Sequence, residues 1–158
     1  MVNVHLYTHG IEGYFLKKVD DGWRIEHDGK QSRSYNAKEV HVTPHGIYII
    51  EERERGSSQL PYKVNDVVKL NLDLEEVLRE YFRNVIGLKI SGEDIYAHYS
   101  FEKEDFLMRL NPNLEKLAVS KVYPEIGSFE VKENLIEITI RNGEKVHYLD
   151  KITLKEKQ

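Results

Sequence analysis

The sequence predicts an all-β fold of four repeated antiparallel units, each about 36–48 residues long. Three observations predict it. First, Val4-His5-Leu6-Tyr7-Thr8-His9-Gly10-Ile11 returns as Val40-His41-Val42-Thr43-Pro44-His45-Gly46-Ile47, with looser copies opening at Leu88-Lys89-Ile90 and Phe129-Glu130-Val131. Second, in every copy an apolar residue is followed by another two positions on, and by Ile seven positions on. Third, Leu70 stands as far before Ile86-Gly87 as Leu110 stands before Ile126-Gly127, so a second pair of landmarks gives the same register. The repeats run from about 4–39, 40–87, 88–128 and 129–158 within a single domain spanning 1–158.

Each repeat opens with a short strand, because Val4 and Leu6, Val40 and Val42, and Leu88 and Ile90 alternate with polar residues and share one face. A turn follows at Thr8-His9-Gly10, Thr43-Pro44-His45-Gly46 and Ser91-Gly92-Glu93-Asp94. The next strand is rich in β-branched and aromatic residues: Ile47-Tyr48-Ile49-Ile50, Ile95-Tyr96-Ala97-His98-Tyr99 and Ile136-Glu137-Ile138-Thr139-Ile140. Charged turns lead to a third strand at 64–70, 105–110 and 145–149, and Arg141-Asn142-Gly143-Glu144 has the Asn-Gly pair of a tight hairpin. In the first repeat Trp23-Arg24-Ile25 stands in for the apolar landmark.

Local and repeat signals conflict after the third strand. Leu74, Val77, Leu78, Tyr81, Phe82 and Val85 fall at helical spacing, and Asp73 with Glu76 suits a capping box, so 74–84 reads alone as a helix in an α+β alternative. Its repeat partner, Lys116-Leu117-Ala118-Val119-Ser120-Lys121-Val122-Tyr123-Pro124, is β-like and ends at a proline that favours extended structure before it. A fourth, outer strand in each unit reconciles the two. The fourth repeat is expected to be incomplete, because few residues follow Leu154.

Four-stranded antiparallel units of this length suit a β-propeller blade. Through the Ile-Tyr strand and the Lys69-Leu70-Asn71-Leu72-Asp73-Leu74 and Arg109-Leu110-Asn111-Pro112-Asn113-Leu114 corners, the chain resembles generic propeller repeats of the quinoprotein or YVTN-like kind. The resemblance covers nearly the whole chain and specifies no substrate. There is no WD dipeptide, no paired glycine of the kelch type and no Trp in each copy. It implies that the first strand of each blade lines a channel, which would gather His5, His41, Lys89 and Glu130 as channel or ligand candidates.

At 158 residues the chain can bury one sizeable core. Charged residues at 32% and apolar ones at 40% give a globular balance. The absence of cysteine excludes disulfides and thiolate metal sites. No apolar run approaches a membrane span, and the first residues lack the basic and apolar regions of a signal peptide, so a cytoplasmic protein without membrane contact is expected. A net charge of -4 argues against a broad nucleic-acid face.

Histidine is the sharpest chemical signal. His5 with His9, and His41 with His45, form two H-x3-H pairs at equivalent repeat positions, offering four imidazoles to a metal. Duplication of one blade explains the same pairs without a metal. The insertion from Glu51 to Tyr62 reads as a solvated loop grafted on a rigid repeat, with Arg53, Arg55 and Tyr62 as partner-contact candidates. No nucleophile elbow, Walker A loop, dinucleotide fingerprint or H-E-x-x-H occurs, and no cofactor is implied. The expectation is therefore a non-catalytic module binding a protein partner or assembling with itself through open β edges. The alternatives are a hydrolase or lyase on a sugar or other small polar molecule at the channel mouth, and a histidine metal site.

Overall fold

A computed structural model describes residues 4–141 and 145–157. The hairpin turn expected at Asn142-Gly143-Glu144 lies outside the described residues. The chain divides into two compact units, one ending at Asn84 and the other beginning at Val85. Among the described residues every regular element is a β-strand, so the all-β class holds.

The first unit holds β1 (His5–Tyr7), β2 (Phe15–Val19), β3 (Gly22–His27), β4 (Lys30–Gln31), β5 (Ala37–Thr43), β6 (Gly46–Gly56), β7 (Pro61–Leu70) and β8 (Glu76–Glu80). They form a sheet in the order β2-β3-β4 and another in the order β1-β5-β6-β7-β8. A core that includes Ile25, Tyr35, Val40, Ile47, Val68 and Leu70 draws on both sheets. β1 corrects the expected repeat. It does not lead the sheet of β2 but pairs in parallel with β5, His5 opposite Glu39 and Tyr7 opposite His41. The physical reason lies in the turn: Gly10 and Gly13 at φ 83 and 89 sit in a loop from Tyr7 to Phe15 that is too long for the tight hairpin of the later repeats.

The second unit holds β9 (Val85–Ser91), β10 (Asp94–Phe101), β11 (Glu104–Leu110), β12 (Lys116–Val119), β13 (Ile126–Val131), β14 (Leu135–Ile140) and β15 (Val146–Asp150). Its sheets are β9 to β12 and β13 to β15, each antiparallel between chain neighbours. A core that includes Tyr96, Leu107, Phe129, Ile136, Ile138 and Leu149 joins them. The outer position of the last sheet is marked by one bridge, Leu149 to Glu156.

The helical alternative at 74–84 is overturned, and the corner before β8 gives the reason. The Asn71 side-chain oxygen accepts the N–H groups of Asp73 and Glu75 at 3.0 Å each, and Leu74 is forced to φ 70. Asn111 repeats this with Asn113 and Glu115, Leu114 standing at φ 62, and Asp150 does so with Ile152 and Thr153 ahead of Leu154 at φ 59. A side chain satisfying backbone donors in this way competes with helix formation. Leu74, Leu114 and Leu154 are all buried, which offsets the cost of a left-handed non-glycine residue. Asp73 and Glu76 form no capping box; the Glu76 carboxylate instead takes Arg33, Tyr35 and Arg79.

Each unit ties its two sheets together by the same device. Ser32-Arg33-Ser34-Tyr35 and Ser120-Lys121-Val122-Tyr123 follow the outer strand of the earlier sheet. Ser32 Oγ accepts from Ile25 N and donates to Arg33 O, as Ser120 Oγ does with Leu107 N and Lys121 O. Tyr35 exchanges backbone hydrogen bonds with Trp23 and reaches Glu76 through its hydroxyl at 3.3 Å. Tyr123 does the same with Asp105 and with Glu156, at 3.0 Å. Tyr14 hydroxyl to Leu72 O, and Tyr96 hydroxyl to Lys151 O, add a second matching tie.

Candidate functional site

The parallel seat of β1 decides where the expected histidines go. At the end of β1 the chain turns through His9 at φ 24, and this swings the His9 ring against His41. His9 Nε2 lies 3.0 Å from His41 Nδ1, and His41 Nε2 lies 2.9 Å from Glu39 Oε1. Tyr7 stacks on His41, with ring centres 4.5 Å apart. A carboxylate only accepts, so His41 Nε2 donates to Glu39, while the tautomers of the two rings set the direction of the His9–His41 hydrogen bond. Burial first, and the neighbouring His41 second, hold the His9 imidazole below its ordinary value. The arrangement is a chain of two imidazole rings ending on a carboxylate.

Of the four histidines expected to surround a metal, only His9 and His41 are brought together. His5 is exposed on β1, and His45 is exposed in the β5–β6 turn, where its backbone N–H donates to Thr43 Oγ1. Among the described residues no group of three or more His, Asp or Glu side chains is placed to hold a metal ion. The channel candidates divide between units. His5 and His41 belong to the first. In the second, Lys89 donates to the Phe129 carbonyl with its ammonium 5.0 Å from the Phe129 ring centre, and Glu130 is exposed, 4.0 Å from Lys132.

The insertion is a paired ribbon rather than a loop. β6 and β7 stay in register from Arg53 opposite Val64 to Gly56 opposite Pro61, beyond the reach of β5 and β8. Alternation explains it, since Glu52, Glu54 and Lys63 share one face while Arg53, Arg55 and Tyr62 share the other. Arg53 is engaged within the unit. Its guanidinium binds the fully buried Asp66 and lies 5.0 Å over the Tyr81 ring. Arg79 joins this network 4.0 Å from Asp66 and pairs with Glu51 at 2.8 Å. Arg55 and Tyr62 do remain exposed, together with Leu60 at the tip, 79% exposed.

A cluster that the sequence did not reveal lies in the second unit. Asp105, buried at the start of β11, accepts from His98 Nε2 at 2.8 Å, from Ser100 Oγ at 2.8 Å and from Ile126 N at 3.0 Å. A cleft of about 560 Å³ opens beside it, lined by Ser100, Lys103, Asp105, Glu125 and Arg141 among others. Serine donates to the aspartate and not to the histidine, so this trio does not have the serine-to-histidine bond that activates a nucleophile. It is a hub that satisfies three donors with one carboxylate. The four-residue Ser-basic-x-Tyr match was the sequence signal that would have located it, since Tyr123 fixes Asp105.

Neither a protein-family model nor a curated protein sequence matches this chain. Its function is read from these side chains alone.

Proposed function

We propose that the chain is a non-catalytic binding module of propeller type that takes hold of a protein partner, a second copy of itself included, through the β6–β7 ribbon. The ribbon carries the reading. A two-stranded projection is marginal by itself, and this one presents Leu60, Tyr62 and Arg55 to solvent at its tip. Aromatic and arginine side chains flanked by a large aliphatic are the composition of a protein-contact anchor. Four blade-like sheets, each pair tied by the same Ser-basic-x-Tyr strap, support the propeller-type arrangement and a self-complementary assembly through open strand edges.

The test combines mass and proximity. Light scattering over a concentration series reads self-association, and a photo-crosslinker placed at Tyr62 reads other proteins in cell extract. The expected result is either a concentration-dependent dimer or one dominant crosslinked protein, lost in each case on Leu60→Ser. A monomer at every concentration, with crosslinks that Leu60→Ser leaves unchanged, would overturn the proposal.

A further inference from the structure

A second feature of the first unit points to a ligand of a different kind. Between the β2–β4 sheet and the sheet of β5 to β7 lies a cleft of about 480 Å³, lined by Lys18, Trp23, Asn36, Ala37, Lys38, Glu52 and Lys63. Five strands converge on it. Trp23, the only tryptophan of the chain, is half-buried on β3, and Lys18 on β2 stands opposite it with the ammonium 5.3 Å from the ring centre. Lys38 on β5 and Lys63 on β7 approach the same Glu52 carboxylate, at 2.8 and 3.5 Å.

Charge and shape both argue for an occupant. Three lysines against one glutamate leave the described lining at +2 (3 − 1) in a chain whose net charge is -4. Glu52 neutralises one ammonium's worth of charge and orients two, so Lys38 and Lys63 are gathered at one edge, and each ammonium has three N–H donors, more than Glu52 alone requires. An indole face beside them offers what a pyranose ring or another flat ring stacks against. Lys18 already shows that the ring attracts positive charge, and an incoming anion would draw that ammonium to itself. Asn36, whose amide reaches the Glu52 carbonyl at 3.4 Å, adds a side chain able to both donate and accept, as sugar hydroxyls require.

We infer that this cleft binds an acidic carbohydrate, a sugar ring carrying carboxylate, phosphate or sulfate, with the ring on Trp23 and the anion between Lys38, Lys63 and Lys18. The site is separate from the ribbon tip, so failure of either proposal leaves the other standing.

Because Trp23 is the only tryptophan, its intrinsic fluorescence reports on this cleft directly. Titration with tetragalacturonate and with glucose 6-phosphate separates a uronate from a phosphosugar, while maltotetraose and inorganic phosphate supply ring and anion alone. At least one acidic sugar is expected to shift the emission saturably, and about tenfold more tightly than either control. Lys38→Gln and Lys63→Gln, both at exposed amine positions, should each weaken it by about tenfold, read by calorimetry as well as emission. No saturable change with either acidic sugar would overturn the inference. So would equal binding of inorganic phosphate, which would remove the ring contact, or binding that neither lysine variant alters. Thermal melts of both variants, expected to match the parent, keep lost binding distinct from lost folding.

Discussion

Replacing Asp105 by alanine removes the sole carboxylate that serves His98, Ser100 and the Ile126 amide. The three donors do not fare alike. Ser100 is only half-buried and can turn its hydroxyl to water, whereas the His98 ring is 7% exposed and the Ile126 N–H is fixed by the backbone. Two donors are therefore left buried without an acceptor, each costing about 1–3 kcal/mol. The change should destabilise the second unit by about 3–5 kcal/mol, among the larger effects of a single substitution. Asp105→Asn separates charge from acceptance. Its amide oxygen can still serve His98 and Ile126, and its nitrogen faces a serine able to accept, so the loss should be about 1–2 kcal/mol. Urea unfolding gives the free energies, and hydrogen exchange resolved by peptide shows whether lost protection lies in 85–158. If Asp105→Ala falls within about 1 kcal/mol of the parent, the hub does not hold the unit together and the accounting above is wrong.

Two further outcomes test other parts of the structure. A Cβ on Gly22 would stand 2.4 Å from the Tyr35 carbonyl at φ +153, so Gly22→Ala should break the strap and cost at least about 2 kcal/mol, measured by the loss of Trp23 fluorescence at lower urea. Stability should also fall with acid in two steps. The folded His9 value lies below 6.5, so the unfolded state takes up the proton first and stability declines as pH drops through that value. Glu52 and Glu156 are held below 4.5 by hydrogen bonds from Lys38 and Lys121; at Glu76 burial acts upward but Arg33, Arg79 and Tyr35 outweigh it. Their contribution is complete above pH 4.5 and is lost as pH falls through the depressed folded values. Urea midpoints from pH 8 to 3 should show both steps, with His9→Gln removing the first; a midpoint that rises between pH 7 and 5 would contradict the sign.

The all-β class was legible because strand alternation and turn glycines act over a few residues. Third-strand positions such as 105–110 came within a residue of β11 for the same reason. What was not legible depended on contacts distant in sequence. Leu74 to Val85 has helical spacing, but the Asx corner at Asn71 turns the chain, pairing with β7 makes Glu76–Glu80 a strand, and Arg33 holds Glu76. The similarity of Val4–Ile11 to Val40–Ile47 was real but misled about pairing, since identical apolar patterns let β1 lie beside β5 as readily as beside β2. The H-x3-H pairs suggested four convergent ligands, yet strand geometry places residues four apart far from one another. The contact that formed, His9 to His41, crosses from one copy to the other.

The two units share a frame and differ at one position in a way that bears on function. Trp23 and Asp105 occupy equivalent places, each exchanging both backbone hydrogen bonds with the strap tyrosine that follows, Tyr35 or Tyr123. Each also stands opposite its hairpin's polar partner, Lys18 in one case and Ser100 in the other. The strap fixes the backbone and leaves the side chain free to vary. In the second unit that freedom was taken by a buried carboxylate whose two oxygens are spent on internal donors, which makes the position structural. In the first it holds a half-buried indole beside three lysines, with an edge still open to a ligand. Internal bonding closes the seat at Asp105, whereas the Trp23 indole meets the Lys18 ammonium at 5.3 Å, a contact for which the proposed acidic sugar would compete.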